Sequence, residues 1–179
     1  MRTLASRDVA GVLKHLQRST ACKALAHRLH AALVGQARRP DFFDRFRIPD
    51  TMDGRFDLVT LHGWLVLECL GSEPDLAQAL IDETFAGFEE ALRQLGTGDM
   101  GMNRRLKTMA NAFYGRLQAY RGSSSFEDLT EAIWRNLYRG NEDRRADAVA
   151  MATYAHSARS HLARSNLNQE LDFGSFPPK

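Results

Sequence analysis

The run from Phe56 to Leu70, FDLVTLHGWLVLECL, constrains this chain more than any other feature. It is apolar almost throughout, yet it carries Asp57 just inside its start, His62 mid-run and Glu68 near its end. A helix that crosses a bilayer needs about 20 mainly apolar residues. This run stops at Gly71, with Arg55 and Glu73 close on either side. A helix apolar on most of its sides is otherwise one surrounded by other helices. The run therefore predicts the central helix of a soluble helical domain.

The remaining pattern agrees. Nothing alternates apolar and polar residues over a useful length, whereas helical spacing with caps recurs. Asp8 to Gln17 reads as a first helix, and Ser19 or Thr20 as the cap of a second ending near Pro40. Pro40 suits the first turn of a short helix through Phe42, Phe43 and Phe46. Pro49 and Gly54 mark a loop, with Asp53 capping the central helix. Pro74 opens a helix to Leu95, Asp99 a long one to Tyr120, and Asp143 a last one to Ser165. Ser125 with Asp128 reads as a capping box opening a helix to Tyr138. The expectation is an all-α single compact domain of about seven helices. Within it, residues 1–39 form N-terminal basic helices, 40–170 a helical core and 171–179, LDFGSFPPK, an irregular tail.

At 179 residues, 44% apolar and 26% charged, the chain has the composition of one ordinary globular domain. Cys22 and Cys69 are too few for a disulfide framework or a zinc site. No signal peptide precedes the first helix, whose Arg-containing opening reads as structure, and the expected location is cytoplasmic. The net charge of +2 hides an uneven distribution: residues 1–50 carry +6, 51–98 carry −7 and 99–179 carry +3. Such asymmetry either steers a charged partner or reflects basic and acidic helices packed side by side.

Catalytic and metal-binding patterns are thin. Gly96, Gly98 and Gly101 spell G-x-G-x-x-G, but a helix rather than a strand precedes them, so the dinucleotide fingerprint lacks its context. Gly96 reads better as the left-handed residue that ends that helix. There is no nucleophile elbow, P-loop or zincin motif, and no Glu has a His three residues later as di-iron bundles require. His27 and His30 stand one turn apart without a nearby carboxylate and read as surface histidines. His156 and His161 are poorly spaced for joint ligation. No cofactor and no metal are expected, and no enzymatic activity.

Two stripes run down the Asp99–Tyr120 helix. Leu106, Met109, Phe113, Leu117 and Tyr120 recur at helical spacing and should face the core. Lys107, Asn111, Tyr114, Gln118 and Arg121 run down another face, with Arg104 and Arg105 near its start. The next helix adds Trp134, Arg135, Tyr138 and Arg139, and Trp, Tyr and Arg are enriched at binding hot spots.

Several segments together resemble a known family. They are Phe56-Asp57 with Leu61-His62-Gly63-Trp64, the stretch from Met100 to Lys107 (MGMNRRLK), Ala112-Phe113-Tyr114-Gly115-Arg116 with Tyr120, and Leu129 to Leu137 (LTEAIWRNL). Their order and spacing over about residues 40–165 are similar to those of the ubiquinol–cytochrome c chaperones, in a short bacterial form. The resemblance implies an all-helical, non-enzymatic protein. It would help newly made cytochrome b mature into ubiquinol:cytochrome c oxidoreductase, respiratory complex III. The implied partner is cytochrome b at the membrane, met from the cytoplasmic side, with no nucleic acid. The expected contact residues are Arg104, Arg105, Lys107, Tyr114, Arg116, Trp134 and Arg135, a mix of aromatic and cationic groups suited to apolar segments with charged loops. His62 and Trp64 are expected to support that surface from below. A helical nucleic-acid-binding or other interaction module is the alternative, weakened by the lack of a helix-turn-helix unit. A haem- or metal-dependent enzyme lacks ligands.

Overall fold

The computed structural model describes residues 5–177. The expected segments at residues 1–4 and 178–179 lie outside them. Helix α1 (Ala5–Ala37) is one unbroken rod of 33 residues, where the sequence reading expected two helices. Ser and Thr cap a helix only where the preceding backbone leaves it. No proline interrupts this stretch, so Ser19 and Thr20 stay within the helix. A single turn, α2 (Asp41–Asp44), follows Pro40 and buries Phe42. Then come α3 (Met52–Leu70), α4 (Pro74–Gln94), α5 (Asp99–Arg121) and α6 (Phe126–Leu137), a short 3-10 turn (Glu142–Arg144) and α7 (Arg145–Leu162). Among the described residues, six long helices and two single-turn pieces make one all-α domain, and no strand occurs.

Helix α3 is the axis. It packs against α1, α4, α5, α6 and α7, which explains a sequence apolar all round: Leu58, Leu61, Leu65 and Val66 are each sealed from solvent. Its cap is Thr51, whose side chain accepts from Gly54 N at 3.2 Å, and Asp53 sits within the first turn. Gly54, expected in a loop, lies in that first turn under the carbonyl of Pro49. A Cβ there would come within 2.0 Å of the carbonyl oxygen, so only glycine allows the loop to cross so closely. Gly71 ends the helix at φ 55°. Gly96, at φ 77°, follows α4 as the left-handed residue expected of it.

Local signals elsewhere hold as read. Ser125 and Asp128 form both halves of a capping box at the start of α6. On α5, Phe113, Leu117 and Tyr120 are buried, Leu106 and Met109 are half-buried, and Lys107, Asn111, Tyr114, Gln118 and Arg121 are exposed. Helix α7 presents Ala148, Ala152, Ala155 and Ala158 inward, small side chains that bring its backbone close to the axis. The chain after α7 has no regular structure, but it lies on the core: Phe173 is buried beside His62, and Phe176 stacks on Tyr154 at 5.3 Å.

The uneven charge is absorbed mainly inside the fold. Helices α1 and α4 lie against each other, and His27 meets Glu83 at 3.2 Å. Glu68 on α3 meets Arg121 and Arg159, and Asp57 meets Arg116 and Arg139. The two α3 acids thus draw their cations from the last third of the chain.

Candidate functional site

Two ionisable groups are sealed inside α3, and each is resolved differently. His62 sits in a complete chain of hydrogen bonds. Gln36 Nε2 donates to the Tyr154 hydroxyl at 2.9 Å, and that hydroxyl donates to His62 Nε2 at 2.9 Å. His62 Nδ1 donates to the Leu58 carbonyl at 2.7 Å. A carbonyl can only accept, so the proton resides on Nδ1 and the tautomer is determined. Burial lowers the imidazole pKa to about 4, so His62 is neutral. Phe42, Tyr154 and Phe173 close around it, on the α1, α7 and tail side of the axis.

Asp57, one turn and a half earlier, points the other way. Its carboxylate is 1% exposed and meets two guanidiniums, Arg116 at 2.9 Å and Arg139 at 2.7 Å. Burial pushes its pKa up to about 6, against the opposing pull of both arginines. Arg139 reaches it from a backbone at φ 56°, a left-handed conformation unusual for a long side chain, immediately followed by Gly140 at φ 69°. Arg116 lies over the Phe56 ring at 5.1 Å and donates to the Ala112 carbonyl. Nearby, Tyr120 packs on Trp64 at 5.4 Å. Tyr120 Oη and Trp64 Nε1 are buried with no hydrogen-bond partner among the described residues.

Above this pair opens a cleft of about 510 Å³ between the start of α3, the end of α4 and α5. Its apolar lining comes from Met52, Phe56, Leu92, Leu95 and Met109. Arg104, Arg105 and Asp53 line it as well, with Arg116 and Arg139 of the Asp57 pair below. Arg104 and Arg105 are exposed and have no acidic partner among the described residues; Arg105 donates only to the Thr97 hydroxyl at 3.1 Å.

The expected contact residues separate into three groups. Arg104, Arg105 and Arg116 share the cleft, although Arg116 is largely buried and tied to Asp57. Lys107 and Tyr114 lie on the outward face of α5, where Tyr114 is 49% exposed and stacks on Phe85. Trp134 and Arg135 are on α6. The Trp134 indole is half-buried, donates to the Asn141 carbonyl at 2.8 Å and is covered by Arg145, while Arg135 pairs with Glu131 at 2.7 Å. Trp64 lies beneath the cleft side, next to Tyr120, but His62 faces the opposite side. Of the two histidines read as surface residues, His27 is exposed. His30 is half-buried against Gly87, and burial lowers its pKa. Arg139 and Leu95 are among the cleft members that sequence reasoning did not single out as contacts. An acid inside an apolar run was the available signal for the first, since a buried carboxylate needs a cation.

Comparison with known proteins decides the family. The family model described as ubiquinol-cytochrome C chaperone matches residues 44–169, a span that includes α3, the cleft and the Asp57 pair. This chain belongs to the ubiquinol–cytochrome c chaperone family. It is 23% identical over 121 residues to ubiquinol-cytochrome-c reductase complex assembly factor 1 of Xenopus laevis, covering 64% of this chain and 60% of that protein. It is 24% identical over 151 residues to the Drosophila melanogaster protein of the same name, covering 78% of this chain and 58% of that one. The chaperone-family chain thus spans about three-fifths of these relatives' length. A crystal structure of the Cbp3 homolog from Brucella abortus superposes with a TM-score of 0.74 at 31% identity, covering 87% of this chain and 90% of that one. The bacterial character expected from the sequence is consistent with that neighbour. Among the described residues no cluster of three His, Cys, Asp or Glu could hold a metal ion.

Proposed function

We propose that this protein is a non-enzymatic assembly chaperone that binds newly made cytochrome b and promotes its maturation into complex III. The observation that carries the reading is the cleft: an apolar lining with a surplus of guanidiniums, in a chain of the ubiquinol–cytochrome c chaperone family. An apolar membrane protein awaiting assembly offers hydrophobic segments joined by charged loops. A surface that buries apolar groups and meets acidic ones suits it. Arg104 and Arg105 are the proposed primary contacts, and Arg116 shapes the cleft by holding Asp57. Lys107 and Tyr114 extend the surface along α5, and Trp134 with Arg135 along α6. Among the described residues no helix is long and apolar enough to cross a membrane. The proposed place of work is the cytoplasmic face of the membrane that receives the client.

The test is a deletion strain. Assembled complex III should fall while cytochrome b transcript stays unchanged, and cytochrome b should co-purify with the tagged chaperone from detergent-solubilised membranes. Normal levels of the complex, with no cytochrome b recovered, would overturn the reading.

A further inference from the structure

The arginine-lined cleft does not end at α5. A second cleft, of about 430 Å³, opens between α1, α3 and α4. Met52, Phe56 and Leu95 line both, so the two form one groove divided by Leu95. Leu95 is 63% exposed, the highest value among the large apolar residues described. It stands at the end of α4, just before the turn at Gly96, where the fold has no need of a leucine. The second cleft is walled by Val34, Val59, Phe88 and Ala91. There α4 carries no side chain at Gly87, where a Cβ would approach the His30 ring to 3.1 Å.

Charge is distributed unevenly along the groove. At the α5 end, among the described residues, four guanidiniums face two carboxylates, Asp53 and the buried Asp57. At the α1 end Arg55 is occupied by Asp50 at 2.6 Å, which leaves Arg38. The α5 end is therefore the more cationic of the two. A neutral or basic occupant would cover Arg104 and Arg105 without replacing their water, which is unfavourable; an acidic one supplies the missing counter-charge. Two apolar hollows on either side of a ridge, between helices, match the successive anchors of an amphipathic helix.

We propose that this groove binds an amphipathic helical segment of the client protein. Its apolar face straddles Leu95 into the second cleft, and its acidic residues meet Arg104 and Arg105. The proposal rests on the chaperone reading above and adds the feature of the client that is recognised.

The experiment uses the purified full chain and two fluorescein-labelled helical peptides of about five turns, roughly 18 residues. Both carry leucines along one face, flanked by glutamates in one peptide and by lysines in its twin. The glutamate peptide should bind at least about tenfold more tightly, and added salt should narrow the gap. Leu95→Asp should weaken it by about tenfold at an unchanged melting temperature, because the leucine is exposed. Arg104→Glu with Arg105→Glu should reverse the preference in favour of the lysine twin. Equal binding of the twins, no binding of either, or indifference to Leu95→Asp overturns the proposal. So does binding to phosphatidylglycerol–phosphatidylcholine vesicles that depends on Arg104 and Arg105 while the peptides stay unbound, since that assigns the groove to lipid. If the peptides fail but cytochrome b still co-purifies with the unaltered protein, the groove assignment falls and the chaperone reading stands.

Discussion

The two buried ionisable groups of α3 are less than two turns apart, yet they belong to different kinds of structure. Both ring nitrogens of His62 have partners, the ring is neutral, and a tail of the chain closes over it. Around Asp57 one carboxylate serves two guanidiniums, one of them delivered from a left-handed backbone, and neighbouring polar atoms of Trp64 and Tyr120 lack partners. A closed network specifies packing and nothing more. A network with excess cations at the base of an open cleft retains the ability to meet something else. The difference separates the side of the axis that is closed by the tail from the side that carries the open cleft.

The largest expected effect tests whether the cleft side is also held by its core. Trp64→Ala should cost about 3–5 kcal/mol, through lost burial and the cavity left under Tyr120. Chemical denaturation measures it, and a near-zero change would mean that this side of α3 is not packed as described. Asp57→Ala should cost somewhat less, about 3 kcal/mol, at the low end for a broken buried ion pair. Arg116 would lose its counter-charge inside, but Arg139, whose side chain is 50% exposed, can turn to water. A smaller loss than for an exposed pair, below about 1 kcal/mol, would show that the arginines do not depend on it.

The contrast between the two sites should also appear in their pH dependence. His62 has its pKa lowered to about 4, so between pH 4 and 6.5 the unfolded chain binds more protons and stability falls as pH falls. Asp57 has its pKa raised to about 6. Between about pH 4 and 6 the folded chain holds the extra proton, and stability rises as pH falls. Each swing is on the order of 3 kcal/mol, and the two oppose each other over nearly the same range. The Asp57→Asn variant keeps only the histidine contribution. Relative to the unaltered protein it should lose stability on going from pH 6.5 to 4, by about 1–3 kcal/mol. Parallel stability curves for the two proteins would remove the opposition.

The smallest effect on stability should accompany a large one on recognition. Replacing Arg104, Arg105 and Lys107 together by Ala should move stability by no more than about 0.5 kcal/mol per site, since all three are exposed. Positive charge near the start of a helix opposes its dipole, so the change can even be favourable. Cytochrome b recovery should nevertheless drop sharply, read by co-purification beside the melting temperature. Full recovery would move the recognition surface to Trp134, Arg135 and α6.

Where the signal was local, it was legible. The capping box at Ser125, the stop at Gly96 and the inward stripe of α5 depend on residues within a turn or two of each other, and each formed as read. Local chemistry misled where one residue type has two uses. Ser19 and Thr20 lie inside a continuous α1, and Thr51 rather than Asp53 caps α3. The cleft was legible only in part. Arg104 and Arg105 stand out as adjacent cations on a helix, but the attachment of Arg116 to Asp57 joins residues from two helices. Arg139 reaches the same acid only because Arg139 and Gly140 turn the chain back. Leu95 looks like any leucine at a helix end, and only the packing of α1, α3, α4 and α5 around it leaves it uncovered.

The placement of the tail bears on the order of synthesis. Every residue that makes the Asp57 pair and the arginine-lined cleft precedes Gly140 in the chain, whereas Phe173 and Phe176, which seal the His62 side, follow α7. On the ribosome the cleft half therefore has all its parts while the other flank of the axis still lacks its cover. The residues that cover the histidine network are the last of the core to be made, after every residue of the cleft.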